Sequence, residues 1–234
     1  MKILSFAWTV LLTCVLAAAP VSTSQPQDIL RLKPGNYWVY QGQAEWVDAS
    51  GPDGIGKSHL TWKMEVLEEV DHGDVKAFLI KGSVLDLPWY QPGLEPGLSV
   101  WLFYQSRLFA TDEFDLARFR DPKDPLTDVL KAQKQEDPIL DFPLQTKRCA
   151  RALYAQPVRA DHMYCWYAEM SREKGVKVGD NSFSNVDVWT AAFRTNPDHQ
   201  ILTFADGIGI TGYDYSHHGT TSEVHLKLAE VKLN

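Results

Sequence analysis

The sequence lacks the short motifs that mark the commonest catalytic sites. It has no Gly-x-Ser-x-Gly nucleophile turn, no His-Glu-x-x-His zinc helix, no phosphate-binding loop and no dinucleotide-binding glycine pattern. Positive charge is also scarce, because 23 Lys and Arg stand against 30 Asp and Glu, for a formal net charge of −7. A nucleic-acid-binding domain needs a basic surface, so this charge balance argues against that class of protein.

Long apolar runs are absent except near the first residue. Lys2 supplies a positive charge, the stretch from Ile3 to Ala19 is almost wholly apolar, and small polar residues follow it. This order predicts a signal peptide over residues 1–24. A membrane anchor is the alternative, but the stretch is marginal in length and no basic residues follow it. We therefore expect an exported protein, periplasmic or secreted, whose mature chain has no transmembrane span.

Cysteine is scarce as well, with three in the chain. Cys14 lies in the predicted signal peptide, so the mature chain keeps Cys149 and Cys165. An even count in an exported chain predicts a disulfide, and two free buried thiols are the alternative. A zinc site is not indicated, because the chain has no Cys-x-x-Cys pattern. We expect the bond to join neighbouring antiparallel strands, near a turn around Pro157 to Ala160, with Cα atoms within about 7 Å.

Apolar and aromatic residues, 44% and 12% of the chain, are plentiful enough to exclude a disordered protein. Leu60 to Val66 alternates apolar and polar residues without a break, which predicts a strand with one buried face. No Gly/Ser-rich or Pro-rich tract divides residues 25–234, so a single β-rich domain is expected. The prediction is a mainly β fold of ten or eleven strands in one curved antiparallel sheet, a half-barrel or open barrel. Further strands are predicted over 36–46, 75–81, 100–104, 107–111, 163–170, 188–194, 201–205, 208–217 and 222–231.

One or two short helices accompany the predicted sheet. Asp124 is a good N-cap, Pro125 suits the first helical position, and Leu126, Val129 and Leu130 would share an apolar face. A further helical turn is expected over 114–119. Both lie in a charged segment that is predicted to cross between two groups of strands.

Two segments resemble a group of uncharacterised exported bacterial proteins. Residues Leu32 to Tyr40 match a Leu-x-Pro-Gly-Asn-x-Trp-x-Tyr opening, and Phe204 to Ile210 is similar to their Pro-Gly-Val-Gly-Leu turn, with Asp206 where proline is usual. The run from Asn196 to Thr220 resembles one subgroup more closely. The resemblance covers both ends of the mature chain but not its charged middle. It implies a curved antiparallel sheet, like the half-barrels that carry lipoproteins and other apolar ligands.

Aromatic residues form the first candidate site. Trp89 and Tyr90 lie in a Pro/Gly-containing loop, where exposed aromatics often mark a ligand site, whereas Trp166 and Trp189 are predicted on the aromatic face of the sheet. The alternative is that the loop covers an open end of the sheet, with Trp89 as its plug. The hypothesis is a non-enzymatic binding protein for a lipid or other apolar or amphipathic ligand, with no cofactor. An envelope scaffold without a small ligand is another alternative.

The histidine-rich hairpin near residue 220 forms the second candidate. If His218 and Gly219 make its turn, Asp214 faces Glu223 and His225 lies diagonally near. Two carboxylates and an imidazole can bind a divalent metal, which would suit a metal-assisted hydrolase. The alternative is an ordinary solvated face, because a half-buried strand needs polar residues there in any case.

Overall fold

The computed structural model describes residues 29–111, 115–126, 130, 138–150, 159–172 and 174–234. The predicted signal peptide lies outside these residues. Within them the protein is mainly β, as predicted, with a single α-helix and two short 3-10 turns. None of the described helical segments has the length and hydropathy that a membrane crossing requires.

Twelve strands form one antiparallel sheet in the order β6-β5-β4-β3-β2-β1-β14-β13-β12-β11-β8-β7, and β9 pairs with β10 separately. The sheet therefore consists of two six-stranded halves that join at β1 and β14. The strands are β1 Tyr37–Val47, β2 Ile55–His72, β3 Val75–Lys81, β4 Leu98–Tyr104, β5 Arg107–Thr111, β6 Leu140–Asp141, β7 Arg148–Cys149, β8 Tyr167–Met170, β9 Val176–Val178, β10 Asn181–Phe183, β11 Val188–Arg194, β12 Asp198–Ala205, β13 Gly209–His217 and β14 Ser222–Lys232.

The sheet curves into a nearly closed barrel, and alternate residues on its inner face are large and apolar. These side chains form one continuous core, with Trp38, Tyr40, Trp101 and Tyr213 almost fully buried. Burying each such side chain contributes roughly 1.5–3 kcal/mol. The fold is the curved antiparallel sheet that the period-two pattern predicts.

A smaller apolar cluster covers the outer face of the first half of the sheet. Helix α1, Leu116–Arg120, begins at Asp115, whose carboxylate accepts a 2.8 Å hydrogen bond from the Ala117 amide. Its Phe119 packs with Leu79 and Leu102. Strands β3 and β4 are therefore buried on both faces. The helical turn predicted over 114–119 is confirmed within one or two residues.

The helix predicted after Asp124 is only partly within the described residues. The Asp124 carboxylate accepts a 3.0 Å bond from the Leu126 amide, as a cap would. Leu126 itself has φ 52°, so it is not helical and the prediction is wrong at this position. Leu126 and Leu130 are both buried in the outer cluster, whereas Val129 lies outside the described residues.

The disulfide between Cys149 and Cys165 is confirmed, with Cα atoms 5.7 Å apart. The predicted placement on two neighbouring strands holds for Cys149, which ends β7, but is wrong for Cys165, which lies before β8; the register partner of Cys149 is Tyr167. β8 begins four residues later than predicted, since His162 and Tyr164 both take positive φ and interrupt the extended backbone. Most of the turn expected around Pro157 lies outside the described residues.

Candidate ligand-binding cleft

The cleft lies where the two edges of the sheet approach each other without pairing. Residues of both edge strands, β6 and β7, line one small cavity of about 60 Å³, so the gap between the two edges is narrow there. Strand β5 continues past its pairing with β6, and its last three residues, Phe109 to Thr111, form one wall of a larger cleft of about 730 Å³. Beyond the end of β6, the gap between the two edges therefore widens into an opening that leads into the barrel.

The walls of the cleft are largely apolar and partly wet. Trp166 and Phe193 stack with ring centroids 5.5 Å apart on one side. Leu94, Leu98 and Tyr164 are 40%, 42% and 46% exposed, so this opening displays large apolar side chains to solvent. Its lining comprises Ser83, Leu85, Asp86, Pro88, Leu94, Glu95, Gly97, Leu98, Ser99, Phe109, Ala110, Thr111, Ile139, Tyr164, Trp166, Phe193 and Gln200.

A few polar groups interrupt the apolar lining. Ser99 is buried, and its hydroxyl makes no hydrogen bond to any part of the chain that the structure describes. Gln200 lies across from it, and its Oε1 accepts a long, 3.5 Å bond from the Tyr213 hydroxyl. Burial raises the pKa of Tyr213 well above its ordinary value, so its hydroxyl stays protonated. The cleft thus offers neutral hydrogen-bonding groups, beside the carboxylates of Asp86 and Glu95, within an apolar surface.

The loop from Gly82 to Gly97 closes one side of the cleft. Its ends are held together, because the Gly82 amide donates a 2.8 Å bond to the Gly97 carbonyl. The Trp62 indole donates a second bond, also 2.8 Å, to the Gly82 carbonyl. Such a compact loop with closed ends is an Ω-loop. We call it the cover loop, and it contributes Leu85, Asp86 and Pro88 to the lining.

Trp89 joins the cover loop to the opposite half of the barrel, whereas Tyr90 joins it to β1 in the same half. The Trp89 ring lies 4.3 Å from that of His217, and Tyr90 meets Trp46 edge-on at 6.1 Å. Tyr90 is buried, whereas Trp89 is 48% exposed. Neither lines the cleft, so their contacts are those of the covering loop that was the alternative interpretation.

Of the four aromatics predicted to bind a ligand, Trp166 lines the cleft. Trp189 is buried in the core, four positions before Phe193 on β11. The structure therefore does not bring Trp89, Tyr90, Trp166 and Trp189 together. The lining also includes Phe193, which lies on the same face of β11 as Trp189, and Ser99 and Gln200, which no sequence motif marks.

A hydrogen-bonded trio stands beside Trp89, under the end of the cover loop. Asp198 Oδ1 accepts bonds from the Tyr215 hydroxyl at 2.8 Å and from His217 Nδ1 at 2.9 Å. Burial by itself would raise the pKa of Asp198, but the bonds from His217 and Tyr215 lower it. The next residue, His199, lies in β12 opposite Ser216. Asp198 begins that strand and orients the histidine on which Trp89 stacks.

The three residues of the alternative metal site, Asp214, Glu223 and His225, also lie close together, but they form ion pairs. His225 Nδ1 lies 2.8 Å from Asp214 Oδ1, and its Nε2 lies 3.4 Å from Glu223 Oε2. Burial lowers the pKa of His225, but these two carboxylates raise it by more. Both ring nitrogens face carboxylates, and in the ranges covered by the structure no three His, Cys, Asp or Glu side chains form a metal-binding group. The arrangement is that of a paired histidine on a half-exposed strand face.

The predicted pairing within this hairpin is wrong by two residues. Asp214 faces His225, and Ser216 faces Glu223, instead of Asp214 facing Glu223. The strands end at His217 and Ser222, so the connection has four residues and not two. A shift of two residues preserves the face of every side chain, which explains why the three polar residues still share one side.

Comparison with known proteins gives little further information. No protein-family model matches the chain, and no curated protein matches it. Among solved structures, it is similar to a protein described as exported, with a YMCC-like fold, from Bacteroides fragilis, at 8% identity and a TM-score of 0.43. It is also similar to a protein described as a lipoprotein from Parabacteroides distasonis, at 11% identity and a TM-score of 0.40. Each match covers 87% of this chain and 98% of the other, but both are too distant to bear on function.

Proposed function

We propose that this protein is exported and binds an apolar or amphipathic ligand in the cleft, without catalysing a reaction. The observation that carries the proposal is a 730 Å³ opening lined by aromatic and aliphatic side chains with a few convergent polar groups. Its volume lies within the range of about 300–1,000 Å³ that is typical of small-molecule sites.

The exposure of the lining supports a ligand. Leu94, Leu98 and Tyr164 present apolar surface to water in one place, and covering such surface is favourable by roughly 25 cal/mol per Å². Contiguous exposed apolar surface on a folded protein commonly marks a binding site. An apolar chain in the cleft would remove these three side chains from water together.

Export is supported by two separate observations. The apolar stretch before residue 20 has the composition of a signal peptide. The bond between Cys149 and Cys165 is of a kind that persists in oxidising compartments and is rare in the reducing cytosol. Mass spectrometry of protein from the periplasm or medium of its own host tests this part, since export predicts a chain that begins after residue 20.

Ligand binding is tested with a neutral apolar fluorescent probe, N-phenyl-1-naphthylamine. We expect wild-type protein to bind the probe and Leu98→Ser to weaken binding at least about fivefold, because that side chain lines the cleft. Leu67→Ser is the matched control, since Leu67 is similarly exposed, at 38%, and is not part of the lining. Failure of wild-type protein to bind the probe would favour the envelope scaffold, and equal losses in both variants would place the binding elsewhere.

A further inference from the structure

We infer that the ligand of the cleft is a cationic amphiphile, with an apolar chain and a protonated amine as its head group. The inference rests on the proposed function and adds the sign of the ligand's charge. It follows from the charges around the cleft, from its aromatic faces and from the buried hydroxyl of Ser99.

The charged groups of the lining are acidic. Glu95 is exposed and lines the cleft, and the described lining residues include no Lys, Arg or His. The guanidinium of Arg159 lies near, 5.6 Å from the centre of the Tyr164 ring. It is paired with Asp161 at 2.7 Å, and the same pairing lowers the pKa of Asp161 to about 2. Among the described lining residues the fixed charge is therefore negative, which attracts cations and opposes anions.

The aromatic walls favour the same sign of charge. Trp166 and Phe193 form one side of the opening. The face of an aromatic ring is electrically negative, so an ammonium group placed over it is stabilised by about 0.5–2 kcal/mol. A sulfate, phosphate or carboxylate head group would find neither a cationic partner nor a favourable ring face among the described lining residues.

Ser99 gives an independent sign of a polar ligand atom. Its side chain is 3% exposed, lines the cleft, and has no hydrogen-bond partner in the described ranges. Buried polar groups are nearly always paired, so a hydroxyl left over at a cleft suits a group that the ligand supplies. A protonated amine has N–H groups that the Ser99 oxygen can accept, whereas the rest of the wall suits the apolar chain.

The experiment compares three probes with the same twelve-carbon chain, below their micelle concentrations: dodecylammonium, dodecyl maltoside and dodecyl sulfate. Isothermal titration of the exported form at neutral pH and low salt should show the ammonium binding at least about tenfold more tightly than the maltoside, with the sulfate weakest. Raising the salt concentration should narrow this preference.

Three variants locate the effect. Glu95→Gln should reduce the preference for ammonium severalfold, whereas Asp74→Asn removes one exposed carboxylate at the far end of β3 and should leave it unchanged. Ser99→Ala should weaken ammonium binding more than maltoside binding. Because its hydroxyl has no described partner, this change should not lower the thermal unfolding midpoint.

The outcomes separate the two proposals. If the maltoside or the sulfate binds as tightly as the ammonium, the cationic assignment is overturned while the binding function stands. The same assignment falls if Asp74→Asn changes the preference as much as Glu95→Gln. If none of the three probes binds, the proposed function itself fails.

Discussion

The indole nitrogen of Trp38 donates a 2.7 Å hydrogen bond to the carbonyl oxygen of Ile208, 170 residues further along the chain. Nearby, the buried Tyr40 hydroxyl donates to the Ile210 carbonyl at 3.1 Å. Between these carbonyls, Gly209 has φ 95°, and a Cβ there would lie 2.9 Å from Trp38 Nε1. The two segments that carry the sequence resemblance therefore fit against each other, and the glycine lets the indole approach.

This contact predicts a large effect for Trp38→Phe. The variant loses the bond to Ile208, leaves a buried carbonyl unpaired and opens a cavity, so we expect the free energy of unfolding to fall by about 2–4 kcal/mol. Tyr37→Phe is the neighbouring control, because its hydroxyl makes an exposed bond to Glu230 and should matter by less than about 0.5 kcal/mol. Urea unfolding measures both, and similar losses would contradict the assignment.

The point where the two ends of the cover loop meet predicts a second position at which a substitution should destabilise the protein. Gly82 has φ 69°, and a Cβ there would lie 2.2 Å from the Lys63 carbonyl oxygen, so Gly82→Ala must displace backbone. We expect a loss of about 2 kcal/mol or more together with weakened probe binding. Gly93→Ala, in the same loop at φ 89° but with open space around it, should cost about 1 kcal/mol and leave binding intact. Intact probe binding in Gly82→Ala would show that the loop does not shape the cleft.

On β14, alanine substitutions at two adjacent residues, one buried and one on the outer face, should differ in their effect on stability. Leu226 is 2% exposed in the core, so Leu226→Ala should lower stability by about 2–5 kcal/mol. The adjacent His225 lies on the outer face, and His225→Ala should change stability at neutral pH by less than about 0.5 kcal/mol. Urea unfolding with a metal assay on both proteins tests the comparison. A stoichiometric divalent metal that disappears in His225→Ala would favour the hydrolase instead.

The raised pKa of His225 predicts a pH dependence of known sign. A group whose pKa rises on folding stabilises the native state fully below its unfolded pKa of about 6.5 and loses that contribution as the pH rises through the folded value. Wild-type protein should therefore exceed His225→Gln in stability near about pH 5 and match it above about pH 8. The pair is half exposed, so the difference should stay below about 1 kcal/mol. A larger advantage at high pH would reverse the assignment.

The disulfide predicts a redox-dependent stability. Cys149 and Cys165 are 16 residues apart, and closing a loop of that size is worth about 3 kcal/mol in the chain-entropy model. The double variant Cys149→Ser/Cys165→Ser should lose about that amount and become insensitive to reductant. Peptide mapping under non-reducing conditions provides the direct check, since two alkylatable thiols in the purified protein would disprove the bond.

Local patterns were enough to locate much of the sheet. Turns and short apolar runs predicted β3, β5 and β11 at their observed bounds, and alternation placed Leu226 inside and His225 outside. The interruption of the extended backbone before β8 was harder to predict, because nothing in the local sequence indicates the positive φ of His162 and Tyr164. The hairpin at residue 218 was misread for a similar reason, since a longer loop preserves the same alternation.

The cleft could not be predicted in the same way. The cleft exists because β5 extends beyond its pairing with β6. It also requires Tyr164 and Trp166, which form the opposite wall and come from a distant segment of the chain. Both conditions depend on how the two edges of the sheet meet, which no local pattern encodes. The aromatic loop at Trp89 was the stronger local signal, and it turned out to contact His217 and not the cleft.

The pairing of β1 with β14 at the centre of the sheet has a consequence for the order of folding. Each half is a series of mostly consecutive strands that can pair soon after synthesis, whereas Tyr37 and Glu230, in contact across the centre, are 193 residues apart. Contacts of such long range slow folding and delay it until the last strand is available. Until β14 is available, one edge of β1 stays unpaired, so a chain exported in the unfolded state, as proposed, would reach its stable form only after crossing the membrane.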